Sequence, residues 1–390
     1  MRLHILLLLL FSLKASIVVS QQDSSSNLPT AGYDYEEFNG FFIRSQDAKL
    51  TLRLGAFTQF RYNMNFMENT PDTVNSLTQG FNINLTRIFM EGEVGNRLGY
   101  YFLTQINDDG SVELVMAFMS YKFRNNSELW FGKMFMAVGR EDWAWTQNLM
   151  AQDFSANDQV FALGTNFGLQ WHNVVSDKFR FWLSASNGAF GSEQSFPFIE
   201  ESDVLLAGRF GFNFVGPWEN WEDMVGRQDR PFGVLLGIGP AVQFNGKTNT
   251  TPGYTAGELN VDLSVNGDGY HAMVQGFMAN KKLDGTDRFQ NYGIYAAGGY
   301  WLNHVLLGYL RMDVVWPGNQ PGDYETYAAP GLGFSYYPFQ HSNRWRISLE
   351  YNYLGANIDN TIVAADAALG FISPSYGGQS SLRLQAEFGF

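Results

Sequence analysis

The sequence of 390 residues contains no cysteine and only five histidines, so several kinds of chemistry are excluded. Without cysteine there is no disulfide scaffold, no thiol nucleophile and no Cys-ligated zinc or iron–sulfur site. The histidines form no HExxH arrangement, and the chain has no GxSxG motif. The sequence therefore predicts that the protein is not an enzyme and that it holds no metal ion or cofactor.

Basic residues are scarce as well, with 25 Lys and Arg against 38 Asp and Glu and a formal net charge of −13. Nucleic-acid-binding proteins usually carry a basic domain, so nucleic acid is not an expected partner. Aromatic residues make up 16% of the chain, a fraction that argues against disorder. The hydrophobic fraction is 45%, yet the mean hydropathy is only −0.18. Apolar and polar residues must therefore be finely interleaved.

Long apolar runs are missing except at the N-terminus. There, Arg2 and His4 precede an apolar run over residues 5–13, and small residues at 18–20 offer a cleavage site. This pattern predicts a signal peptide over residues 1–20 and hence export. Residues 21–40 are polar and are predicted to be a flexible N-terminal segment. After the leader, no stretch approaches the ~18 apolar residues that a membrane-spanning helix needs.

From residue 41 to 390 the chain alternates apolar with polar or small residues in segments of about ten, separated by Gly, Asn and Asp. In 381–390, for example, every even position is apolar and every odd one is polar or glycine. No composition break indicates a second domain. Short turns alternate with longer connections, including 136–163 and 215–230. We count sixteen predicted strands, near 49–62, 80–95, 99–107, 111–123, 128–135, 164–173, 178–187, 203–214, 231–244, 256–265, 269–281, 289–300, 304–315, 327–337, 344–354 and 379–390.

Alternation fits either a soluble β-sandwich or a membrane barrel, which differ in the direction that the apolar face points. Aromatic residues gather at segment ends, for example at Tyr100, Tyr101, Tyr336 and Tyr337, where the girdles of a membrane barrel lie. Sixteen is also the even strand number that bacterial barrels require. The predicted fold is therefore all-β: a transmembrane antiparallel β-barrel of about 16 strands over residues 41–390, with short turns at one end and long loops at the other.

Several short motifs resemble the phosphate-selective porin O and P family of Gram-negative outer membranes. They are the arginine strand 85–94 with its Glu-Gly pair, the Gly-Lys strand 128–135, and the stretches 181–188 and 206–209. The resemblance implies a water-filled channel for small anionic solutes of the phosphate or polyphosphate type, in which loop 136–160 folds inward as a constriction. It also implies an outer-membrane location among lipids, homotrimers, and a terminal Phe390 that the barrel-assembly machinery reads.

Selection in a channel is electrostatic, and rings of Arg or Lys favour anions. Arginine outnumbers lysine seventeen to eight, and the guanidinium fork suits phosphate or carboxylate. The constriction loop is expected to present Arg140, Glu141, Asp142, Trp143 and Trp145. The residues predicted to line the pore and attract anions are Arg53, Arg61, Arg87, Arg140, Arg180, Arg209 and Lys133.

Alternatives remain open at this point. The interior arginines could pair with Glu91, Glu350 and Glu387 to stiffen the wall. Trp143 and Trp145 could form a stacking track for a sugar, or simply pack the loop against the wall. The channel could accordingly be a general or sugar-preferring diffusion porin. The protein could also be a structural or adhesive surface barrel whose lumen is plugged by 136–160.

Overall fold

The structure is a computed structural model. It describes residues 31–33, 40–47, 49–68, 76–124, 126–136, 138–188, 204–245, 254–283, 288–318, 326–339, 342–355, 369–372 and 377–390. The predicted signal peptide lies outside the described residues. Ala31–Tyr33, within the segment predicted to be flexible, forms strand β1 and pairs with β2 (Phe41–Arg44).

Sixteen longer strands follow, and each pairs antiparallel with the next until the last pairs with the first of them and closes a barrel. The prediction of a sixteen-stranded transmembrane barrel is thus confirmed, and every predicted segment overlaps one strand, although several strands are longer than predicted. The strands are β3 (Leu50–Met67), β4 (Leu77–Val94), β5 (Leu98–Ile106), β6 (Val112–Lys122), β7 (Ser127–Phe135), β8 (Thr165–Ser176), β9 (Phe179–Ser186), β10 (Val204–Val215), β11 (Gly233–Asn245), β12 (Tyr254–Gly267), β13 (Tyr270–Leu283), β14 (Arg288–Trp301), β15 (Leu306–Pro317), β16 (Tyr327–Tyr336), β17 (Trp345–Leu354) and β18 (Gln379–Gly389).

The alternation has the inverted sense of a membrane barrel. On β18, Arg383 and Gln385 are fully buried in the interior, whereas Leu384 and Phe388 are 48% and 43% exposed on the outer wall. Successive side chains of a strand point to opposite faces, so the same division repeats around the barrel. The apolar residues therefore form the outer surface, and polar residues fill the interior.

The barrel is closed by a seam between β18 and β3. Phe390 and Ala56 exchange two backbone hydrogen bonds, each 2.9 Å between nitrogen and oxygen. Beyond this point β2 takes over from β18 and pairs with residues 51–54 of β3. The ring of Phe41 on β2 lies 5.8 Å from that of Phe390, edge to face. The N-terminal strands therefore extend the sheet where the C-terminus ends.

Two long connections enter the interior from opposite ends of the barrel. Residues 136–164, the constriction loop, join β7 to β8 and contain helix α1 (Ala156–Phe161). Residues 216–232, the inner segment, join β10 to β11 at the end that otherwise carries tight turns such as 177–178 and 268–269. The expectation that long connections lie at one end only is wrong for this segment. No helix in the described residues is long and apolar enough to cross a membrane.

Candidate pore and its constriction

The constriction loop is fixed to the far wall of the barrel by hydrogen bonds. Arg346 on β17 donates to the carbonyl of Leu149 (Nη1–O 2.5 Å). At the start of α1 the carboxylate of Asp313 on β15 accepts a bond from the amide of Ala156 (2.8 Å), as acids at helix N-termini do. The loop therefore lies against β13–β18 and leaves the side of β3–β9 open.

Asp153 at the middle of the loop is held by two arginines of the wall. Arg61 on β3 binds it in bidentate fashion, with nitrogen–oxygen distances of 2.7 and 3.0 Å, and Arg383 on β18 donates to the same carboxylate. Burial opposes ionisation of Asp153, but the two guanidinium charges outweigh it and lower its pKa. The loop is therefore bound to the seam strands by a charge-assisted clamp.

Three further acids lie on the constriction loop: Glu141 and Asp158 are buried, and Asp142 is half-buried. The Asp142 carboxylate accepts hydrogen bonds from the amides of Val138 (3.2 Å) and Gly139 (2.7 Å). Glu141 accepts a bond from the hydroxyl of Ser155. Burial raises the pKa of Glu141 to about 8, and burial likewise raises the pKa of Asp142 and of Asp158. Glu141 and Asp158 are therefore structural, whereas Asp142 also lines the first of the cavities described below.

The inner segment is fixed by contacts between arginines and Trp221. Its short 3-10 helix (Trp218–Trp221) buries Trp221, and three guanidinium groups lie over that indole ring. Their distances to the ring centroid are 4.5 Å for Arg140, 4.5 Å for Arg180 and 4.9 Å for Arg209. Such cation–π contacts are worth about 0.5–2 kcal/mol each. The constriction loop and the inner segment therefore meet through Arg140.

A row of stacked rings crosses four neighbouring strands of the open side. Tyr101, Phe118, Trp130 and His172 stand on β5, β6, β7 and β8, with successive centroids 5.4, 4.4 and 4.1 Å apart. The rings of Phe118 and Trp130 are each covered on both faces by neighbouring rings. Only their edges therefore face the lumen. Trp143 of the loop stacks on Trp182 of β9 at 4.8 Å.

Three cavities follow one another along the open side of the barrel. The first, about 820 Å³, is lined by the row of rings and by Arg53 and Arg180. The second, about 580 Å³, shares Trp145 and Glu222 with the first. The third, about 600 Å³, shares Arg87 with the second. Because neighbouring cavities share lining residues, they mark a candidate route past the edge of the constriction loop.

The residues predicted to line the pore divide into two groups. Arg53 and Arg87 lie partly exposed on the cavities, and Arg53 pairs with Glu91 at 3.5 Å. Arg87 donates to Gln105 (3.1 Å) and has no ion pair within 4 Å in the part of the chain that is described. The buried group consists of Arg61 at the Asp153 clamp, Arg140 and Arg180 against Trp221, Arg209 in an ion pair with Asp262, and Lys133 over the ring of Phe167.

The constriction-loop residues divide in the same way. Glu141 and Arg140 are buried, and Trp143 packs against Trp182. Trp145, in contrast, is 37% exposed and lines both the first and the second cavity. Of the five predicted residues, Trp145 is thus the one that stands most openly in the route.

Sequence reasoning missed the charges of the inner segment. Glu219, Glu222, Arg227 and Arg230 line the second cavity. In the sequence they belong to the connection 215–230 between two predicted strands. The signal was the tract 218–222, Trp-Glu-Asn-Trp-Glu, because two tryptophans in a solvated loop are unusual and favour burial. Among the described residues no group of three or more His, Asp or Glu side chains is arranged to hold a metal ion.

Comparison with solved structures supports the fold. No protein-family model matches the sequence, and no curated protein is similar enough in sequence to count as a relative. The anion-selective porin from Comamonas acidovorans superposes with a TM-score of 0.62 at 12% identity, over 87% of this chain and 100% of that one. The outer membrane channel DcaP of Acinetobacter baumannii gives 0.61 at 12%, over 89% and 99%. OmpT of Vibrio cholerae, in a trimer form, gives 0.58 at 13%, over 87% and 99%. The chain therefore has the fold of outer-membrane porins and channels.

Proposed function

We propose that the protein is a porin of the Gram-negative outer membrane, which lets small solutes diffuse passively along the route formed by the three cavities. The observation that carries the proposal is the row of three cavities with shared lining residues beside a constriction loop that is fixed to the opposite wall. The apolar outer surface suits lipid as its surroundings. Nothing in this reading requires catalysis, and we assign the protein no enzymatic activity.

We further propose that the channel prefers anions, in line with the resemblance to phosphate-selective porins. Arg87 stands at the junction of the second and third cavities and donates to Thr146 of the constriction loop (3.4 Å). Its guanidinium therefore lies on the route beside the constriction loop. An unpaired guanidinium at such a place favours phosphate or carboxylate. One of the superposed structures is named an anion-selective porin.

The reversal potential of the reconstituted channel in a salt gradient tests the anion preference. Arg87→Gln should lower the anion-to-cation permeability ratio about two- to threefold at low salt, because one charge at ~7 Å acts through a nearly aqueous lumen. Arg97→Gln, in an exposed turn, is the matched control and should leave the ratio unchanged. A cation-selective wild-type channel would refute the anion preference, and absence of any channel would refute the porin.

A sugar-preferring diffusion porin is the second candidate, and the row of rings from Tyr101 to His172 is the observation that favours it. The faces of Phe118 and Trp130 are covered by their neighbours, which leaves Trp145 as the ring best exposed for stacking. Block of the ion current by oligosaccharides, rather than by phosphate, would favour this candidate. A closed channel that opens when the constriction loop is deleted would instead indicate a structural or adhesive barrel.

We propose the remaining features of the porin by the same reasoning. Residues 1–20 would direct export, Phe390 would be recognised by the barrel-assembly machinery, and the barrel would form a homotrimer. The trimer form of the superposed OmpT structure is consistent with the last point. Phosphate and polyphosphate remain the proposed solutes.

A further inference from the structure

Charges of both signs line the second cavity. Arg87 and Glu91 come from β4, and Arg344 comes from the connection before β17. The inner segment contributes the acids Glu219, Glu222 and Asp223 and the bases Arg227 and Arg230. Glu222 also borders the first cavity, so it stands where the two join. Three of the four acids on the second cavity are thus carried by a connection that enters from the end opposite to the constriction loop.

The acids of the inner segment differ in what they bind. Asp223 accepts backbone hydrogen bonds from Val225 (2.9 Å) and Gly226 (3.0 Å), so its carboxylate shapes the turn. Glu219 and Glu222 are exposed, and within the described residues neither makes a side-chain hydrogen bond or an ion pair. Their charges are therefore directed at the lumen and not used to fix the fold.

The position of these two acids is set by their neighbour Trp221. That ring is 2% exposed beneath the guanidinium groups of Arg140, Arg180 and Arg209. Arg140 and Arg180 are buried, whereas Glu222 beside them is open to the route. A permeating ion accordingly meets the carboxylates more directly than it meets these two arginines.

We infer that the inner segment is a second selectivity element, in which Glu219 and Glu222 oppose the field of the wall arginines and limit the anion preference of the channel. The inference rests on the proposed porin function and adds specificity-determining residues to it. Positive and negative side chains line the same cavity. An anion is therefore attracted towards Arg87 and Arg344, while the carboxylates reduce the net attraction that it feels in the lumen.

The test is the reversal potential of the full-length channel in a KCl gradient, with Glu219→Gln and Glu222→Gln combined. Glutamine keeps the size and removes the charge. At about 0.1 M salt, where the screening length is about 10 Å, the anion-to-cation permeability ratio should rise at least about two- to threefold. At about 1 M, with screening at about 3 Å, most of the rise should vanish.

Asp229→Asn is the matched control. Asp229 belongs to the same segment, is exposed, and borders none of the three cavities. Its φ of 64° is a conformation that asparagine adopts readily. An unchanged ratio in the double variant, while Arg87→Gln still lowers it, would overturn the inference and leave the proposed function intact. A wild-type protein that forms no channel would overturn both.

Discussion

The interior arginines differ in whether a carboxylate of the barrel or loop neutralises them. On one side, strands β10–β18 carry arginines whose side chains are fully buried against acids. Removing one partner of such a buried ion pair destabilises a protein by about 3–5 kcal/mol. These pairs are Arg209 with Asp262, Arg311 with Asp313, Arg346 with Glu387 and Arg383 with Glu350. On the other side, Arg87 lacks such a pair in the described part of the chain. The arginines that pair in the wall are therefore not the arginine that stands open on the proposed route.

Asp153→Asn should release the constriction loop from its clamp. The change leaves Arg61 without its carboxylate and takes from Arg383 one of the two that it binds. We expect the free energy of unfolding to fall by about 3 kcal/mol. This is near the lower end for breaking a buried ion pair, because Asp153 is partly exposed. The measurements are the unfolding temperature and the noise of the open-channel current. Asp229→Asn should change neither, and a quiet, equally stable Asp153→Asn channel would show that the clamp does not hold the loop.

Residue parity predicted the direction of these side chains, and the acids considered as their partners, Glu91, Glu350 and Glu387, do pair with arginines. Period-two alternation places Arg346 and Arg383 inside, and both are there. The partner that was missed is Asp153 of the constriction loop, which lies 230 residues from Arg383 and 92 from Arg61 in the chain. Such pairs depend on how the loop folds across the lumen, which no local pattern encodes. The sequence therefore could not separate clamp from pore.

At the scale of elements, the strands could be predicted because each has a face in lipid and a face in water. The two inward connections could not be distinguished by the same criterion. The constriction loop was expected from its length and from the resemblance, whereas the inner segment was expected to lie with the other long loops. What draws it inward is local: the indole of Trp221 is buried beneath buried cations. Periodicity does not describe a segment of this kind.

Between about pH 4.5 and 8, the constriction loop should be held more tightly at the lower pH. Burial raises the pKa of Glu141 from 4.5 to about 8, and burial also raises the pKa of Asp142 and Asp158. The docked loop therefore binds more protons than a released one between about pH 4.5 and 8, and its stability falls as pH rises through that window. Limited proteolysis and current noise should both increase towards pH 9.

Asp158→Asn should weaken this pH dependence, because it removes one of the buried acids whose pKa is raised in the docked loop. The control is Asp109→Asn, in the exposed turn between β5 and β6, where the side chain accepts a bond from the amide of Ser111 (2.8 Å). Parallel pH profiles for the wild type and Asp158→Asn would show that protonation of Asp158 does not hold the loop.

At the scale of the whole molecule, the net charge of −13 says little about selection. The loop fills the interior beside β13–β18, where Leu149 and Phe161 pack among Met273, Phe277 and Tyr295. The route is left to the side of β3–β9, and only charges on its cavities act on a solute at short range. The aromatic residues likewise lie in three places: on the outer surface, in the row of stacked rings, and around the inner segment, which they help to hold.

The backbone and the ring of Phe390 can be expected to have different roles, one in closing the barrel and the other in its assembly. Phe390 is joined to Ala56 by its backbone, while its ring is 42% exposed on the outer surface. Phe390→Ala keeps the backbone bonds and should therefore refold in detergent nearly as the wild type does. If the assembly machinery reads the ring, the same variant should reach the outer membrane several-fold less in cells, measured as heat-modifiable folded barrel.

Phe388→Ala provides the comparison, since Phe388 is 43% exposed on the same face of β18 and loses the same atoms. Its ring contacts Trp345 at 5.7 Å, so its removal affects the wall at least as much as removal of the Phe390 ring does. Equal membrane yields of the two variants would assign Phe390 a packing role alone. A deficit confined to Phe390→Ala in cells and absent in refolding would separate recognition of the terminus from stability of the closed barrel.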